Sequence, residues 1–105
     1  MSELSGNTTV ELSVAAPYRQ AHPWVVQAIT GFLSAYFMEH PDFRVQRHAD
    51  DPETGMHVWL VECPASLKMG RLLKRLQADI PPCSISEQRT EATARPRYIL
   101  ENPAS

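Results

Sequence analysis

Cysteine and glycine are scarce in this chain, with two of the first and four of the second, and that scarcity removes several classes of protein at once. Cys63 and Cys83 are too few and too far apart for a disulfide framework or a zinc knuckle, so they read as small buried hydrophobes. Four scattered glycines leave no glycine-rich loop to cradle a phosphate. Basic charge is not in excess: ten Lys and Arg stand against twelve Asp and Glu, a net charge of −2. Such a chain has no global attraction to nucleic acid or to an anionic membrane surface. The opening MSELSGNTT has neither a basic start nor an apolar run. No export signal is expected, and a cytoplasmic location with reduced thiols follows as an expectation.

Motifs that carry chemistry are missing too. His22, His40, His48 and His57 have no metal-ligand spacing with one another or with the cysteines, although His48 and His57 flank one turn and can face each other across strands. Asp50, Asp51 and Glu53 resemble a turn rather than a calcium loop, because Pro52 interrupts the alternation of ligands. His57 and Cys63 would stand about 20 Å apart on one extended strand, too far to form a nucleophile and its base. No metal, no cofactor and no catalytic residue is expected, and the chain reads as a non-enzyme. Arg19 and His22, in the loop before the first long helix, are the residues an enzymatic reading would have to use.

What the chain does have is punctuation. Nine prolines mark where elements stop, since proline fits neither a helix interior nor a central strand. TTVELSVA alternates, with Val10, Leu12 and Val14 on one side, and ends at Pro17 as a half-buried strand. A loop through Pro23 opens a helix that runs from Trp24 to about His40, before Pro41. From Phe43, FRVQRHA is a second strand with Phe43 and Val45 on its apolar side. ADDPETG turns, and MHVWLVEC returns as a third strand, apolar on both sides and therefore central in the sheet or in contact with another chain. SLKMGRLLKRLQADI is a second helix capped at Ser66 and stopped by Pro81-Pro82. CSISEQRT is a fourth strand, TEATARP a connector, and RYIL a short fifth strand or a closing clip.

This order, β-α-β-β-α-β with a possible extra C-terminal strand, predicts an α+β domain of ferredoxin-like type: an antiparallel sheet with two helices on one face. Residues 1–7 are expected to form a flexible tail, 8–101 a single domain and 102–105 a second tail. The architecture hosts many functions, so function has to come from particular residues. RNA recognition modules share the order but stack bases on central-strand aromatics; here Trp59 alone fits that role and the accompanying glycine pattern is missing. Acylphosphatases share it as well, but the glycine-bearing loop they use after the first strand is absent from APYRQAHPW.

The first long helix is the most informative segment. From Gln20 to Met38 there is no Asp, Glu, Lys or Arg, yet Gln27, Thr30 and Ser34 between flanking prolines argue against a membrane span. At 100° per residue the helix resolves into three arcs. Phe32, Val25, Tyr36, Ile29, Leu33, Val26 and Phe37 form a bulky arc of about 140°, wide enough to cover a sheet. Thr30, Ser34 and Gln27, with Met38 at the edge, form an uncharged polar arc. Gly31, Trp24, Ala35 and Ala28 form a strip of small residues with one large ring. Either the second helix of the same chain packs on that strip, or another protein chain does.

The leading expectation is a small regulatory protein that works by binding protein, as a homodimer and toward a partner of unknown identity. Trp24, Ala28, Gly31 and Ala35 form the proposed contact surface, joined by Trp59 from the sheet. An anti-activator or adaptor that occupies a partner's dimerisation surface fits this description. Two rivals remain: a small-molecule-sensing module of the same fold, and a nucleic-acid binder using the basic cluster Lys68, Arg71, Lys74 and Arg75 on the second helix. The overall charge argues against nucleic acid, and that cluster also suits an ordinary solvated helix face or contacts to an acidic partner.

Overall fold

A computed structural model of the chain describes residues 7–64, 69–89 and 96–102. The elements are β1 (Asn7–Val14), α1 (Ala16–Ala21), α2 (Val25–Glu39), β2 (Arg44–Asp50), β3 (His57–Pro64), α3 (Met69–Gln77), β4 (Ser84–Arg89) and β5 (Pro96–Glu101). The expected caps and connectors at Ser66, Leu67 and 90–95 lie outside the described residues, as do 1–6 and 103–105 of the expected tails.

The protein is α+β, with a five-stranded mixed sheet in the order β2-β3-β1-β5-β4. β2, β3 and β1 pair antiparallel, Val10 facing Val61 and Leu12 facing Trp59. The expected wholly antiparallel sheet is corrected at β5, which is a full strand rather than a clip. It runs parallel to β1, with Leu12 opposite Tyr98 and Val14 opposite Leu100, and it separates β1 from β4. A second difference is α1: Pro17, expected to end a strand and begin a loop, sits in the first turn of a short helix, where its missing N–H is not needed.

The even positions of β1, the odd positions of β3 and Tyr98 and Leu100 of β5 share one side of the sheet. With Tyr18, Val25, Ile29, Leu33, Tyr36, Leu72, Leu73 and Leu76 they make a single hydrophobic core, so α1, α2 and α3 all lie on that side. β3 is an interior strand, flanked by β2 and β1, and its Trp59, Val61 and Cys63 side is the one that enters the core. Phe43 is fully buried, whereas Val45, expected on the same apolar side, is exposed on the edge strand, whose register shifts at Val45/Arg47. Tyr36 ties the layers together: its ring stands edge-on to Phe43 at 4.9 Å, and the Arg75 guanidinium of α3 lies 5.6 Å above it.

Five strands spaced by about 4.8 Å make a sheet about 20 Å across, and two helices about 10 Å thick cover it once. A third layer is not needed to cover the sheet, and the outward side of α2 is left to the surroundings. Among the described residues, no helix is long and apolar enough to cross a membrane.

Candidate functional site

α2 forms because its bulky arc matches the sheet. Val25, Ile29, Leu33 and Tyr36 are buried, and Val26, Ala28 and Phe32 are partly buried at the flanks of the same core. His40 ends the helix, its N–H donating to the carbonyls of Tyr36 and Phe37, before Pro41. Phe37, assigned by its angle to the bulky arc, falls beyond the sheet and is exposed, a correction that narrows the covering arc.

The other two arcs are open on their outer side, whereas Ala28 of the strip packs partly against the core. Gly31 and Ala35 are exposed, and among the described residues a Cβ placed on Gly31 would find nothing within 4 Å, so α3 does not pack on that part of the strip. Trp24 is 48% exposed and Met38 84%. Trp24 is held at the rim by His22, whose ring lies edge-on 6.4 Å away and is itself 5.5 Å from the buried Tyr18. Thr30 returns its hydroxyl to the Val26 carbonyl at 2.9 Å, so this part of the polar arc is satisfied within the helix. Uncharged, and with the Thr30 hydroxyl bonded within the helix, this face loses less hydration on being covered than a charged one would.

Trp59 does not belong to it. At 1% exposure it is a core residue on the helix-facing side of β3, beside Leu12 of β1, and its place in the expected contact surface is corrected accordingly. Of the basic cluster, Arg71, Lys74 and Arg75 are exposed on α3, with Arg75 engaged over Tyr36, and Lys68 lies outside the described residues.

A polar cluster was not legible in the sequence. Asp50 Oδ1 accepts from Arg19 Nη1 at 2.6 Å and lies 2.7 Å from His57 Nδ1, while Arg19 Nη2 donates to the Gly55 carbonyl at 3.1 Å. The hydrogen bond with His57, joined by the Arg19 charge, holds the Asp50 carboxyl below its usual range. His48 and His57 do face each other, ring centres 4.8 Å apart, with Trp59 4.7 Å from His57. His57 Nε2 is buried and finds no hydrogen-bond partner among the described residues. An open recess of about 480 Å³ adjoins, lined by Arg19, Gln20, Pro23, Val26, Gln27, Asp50 and His57.

An aspartate that orients a histidine is half of a catalytic relay, and the other half is a nucleophile. Neither thiol supplies it. Cys63 is buried, and burial, reinforced by Glu62, pushes its thiol up, away from the reactive thiolate. Cys83 lies against Gln77 and Tyr18. Arg19, one of the two residues an enzymatic reading would use, spends its guanidinium on Asp50 and Gly55, and the other, His22, is packed between Tyr18 and Trp24. Among the described residues, no three His, Cys, Asp or Glu are grouped to hold a metal ion. The cluster instead links α1 to the β2–β3 turn, where Gly55 takes φ +74° with Ala16 Cβ 3.4 Å from the position of an added methyl.

Compared with known proteins, the chain matches no family model, no curated protein and no solved structure.

Proposed function

We propose that this chain is a non-enzymatic regulatory protein that acts by binding protein through the outward face of α2, with self-association into a homodimer as part of that action. The observation that supports the reading is the open strip: Gly31 and Ala35 exposed, Trp24 half-exposed and Met38 almost wholly so, on a helix face without charge until Glu39. Surface helices of two-layer domains ordinarily carry charge there, and an uncharged face with large apolar side chains at its ends favours a protein partner. A regulatory role of the anti-activator or adaptor kind fits a domain whose distinguishing feature is a covering surface rather than a reaction centre.

Light scattering over a wide concentration range tests the reading, with Ala35→Glu as the perturbation. Ala35 is exposed, so the new carboxylate is solvated in the free chain and should change its stability by no more than about 0.5 kcal/mol. The expected outcome is a wild-type dimer and a folded, monomeric Ala35→Glu. A wild-type chain that stays monomeric throughout removes the homodimer, and an Ala35→Glu dimer of unchanged affinity removes α2 from the contact.

A further inference from the structure

Trp24 and Met38, the large side chains at the two ends of the exposed α2 face, are equidistant from Gly31 in sequence, about 10 Å along the axis on either side. Such a layout is its own complement under a two-fold rotation. We infer that this face takes a second copy of the same chain, with the two α2 helices antiparallel and the two-fold axis passing by Gly31. The inference rests on the protein-binding reading above and adds the orientation and the contacts. In that arrangement Gly31 meets Gly31, Gln27 meets Ala35, and Trp24 of each copy meets Met38 of the other. The small central residues let the backbones approach closely at a shallow crossing, and thioether–indole contacts close both ends.

Charge decides the orientation. α2 has no acidic residue in its first turn, no side-chain cap at its N-terminus and no basic residue in its last turn, where Glu39 stands. Glu39 therefore carries the wrong sign for its own end of the helix dipole. A parallel copy would set Glu39 beside Glu39 and leave both dipoles aligned. An antiparallel copy brings each Glu39 to the uncompensated N-terminal turn of the other chain, where a carboxylate is favoured.

Disulfide trapping reads the geometry directly. In a Cys83→Ala background, with Cys63 left buried, Gln27→Cys and Ala35→Cys chains are oxidised separately and mixed. The antiparallel pairing is expected to give a linked dimer from the mixture and from Gly31→Cys alone, because those Cβ atoms come within bridging distance. Linkage of Gln27→Cys to itself, or of Ala35→Cys to itself, in preference to the mixed pair overturns the inference. Glu39→Gln is expected to weaken wild-type dimerisation about two- to five-fold for each helix end it serves, and a strengthened dimer would also overturn the antiparallel placement. A chain that dimerises and is dissociated by Ala35→Glu, yet yields no mixed disulfide, refutes this geometry while leaving protein binding through α2 standing. A chain monomeric at every concentration refutes the geometry and the homodimer together.

Discussion

Gly31→Ala probes the open side of α2, where no described residue lies over Gly31. Glycine in a helix interior is less favourable than alanine by about 0.8–1.0 kcal/mol, because it has more backbone freedom to lose on folding. Whether that gain appears depends on the space around the new methyl. At Gly31 no heavy atom of the described residues lies within 4 Å of it, so there is no clash to subtract and almost no burial to add. Gly31→Ala is therefore expected to stabilise the free chain by about 1 kcal/mol, a rise in melting temperature of about 4 °C or somewhat more for a domain of this size. Urea unfolding followed by far-ultraviolet circular dichroism, at a concentration low enough to keep the chain monomeric, measures it. The midpoint should rise with the slope unchanged. Gly55→Ala is the internal control with the opposite sign: φ is +74° and Ala16 Cβ stands at 3.4 Å, so the same methyl should cost about 1–2 kcal/mol. A Gly31→Ala chain less stable than wild type would mean that the strip is packed against something, and the reasoning about α2 would fail.

Two further perturbations address the core and the polar cluster. Trp59→Ala should lower stability by about 3–5 kcal/mol, since the ring is buried in the core on the helix-facing side of β3; a loss below 1 kcal/mol would return Trp59 to the surface. Asp50 binds its proton less readily folded than unfolded, so its contribution is complete above its ordinary value, about pH 4, and is lost as the pH falls through the depressed folded value. Asp50→Asn should accordingly flatten part of the acid limb of a stability–pH curve below about pH 4. Asp51, held low mainly by the Glu53 backbone N–H, supplies another part. Parallel curves for wild type and Asp50→Asn would refute the linkage.

Periodicity carried most of the fold. The alternation of Val10, Leu12 and Val14 and the spacing of Leu72, Leu73 and Leu76 announce which side each element buries, and all six are in the core. Where periodicity is silent, the reading stopped. β3 is apolar on both sides, so its pattern did not say that Trp59 faces the helices. Pro17 punctuates a strand and opens a helix with equal ease, and the six-residue α1 is too short to show a period. The position of β5 beside β1 is a tertiary choice with no local signature. Of the proposed contact surface, Trp24, Gly31 and Ala35 were legible because the wheel of one helix orders them. The Arg19–Asp50 pair was not, since its members are 31 residues apart on different elements.

The place of β5 has a consequence for how the chain is made. Glu11 and Arg97 are neighbours in the sheet, joined by an ion pair across 86 residues of sequence. Until β5 leaves the ribosome, the three-stranded part of the sheet made of β2, β3 and β1 ends at an open edge in what becomes the middle of the sheet. Its unpaired N–H and C=O groups are a template for any extended segment nearby. Closing that edge requires one of the longest-range contacts in the chain, which places it late and makes it slow. A nascent chain halted before Pro96 would present an aggregation-prone β1, so this small domain is more exposed to interrupted synthesis than its helix-rich first half suggests.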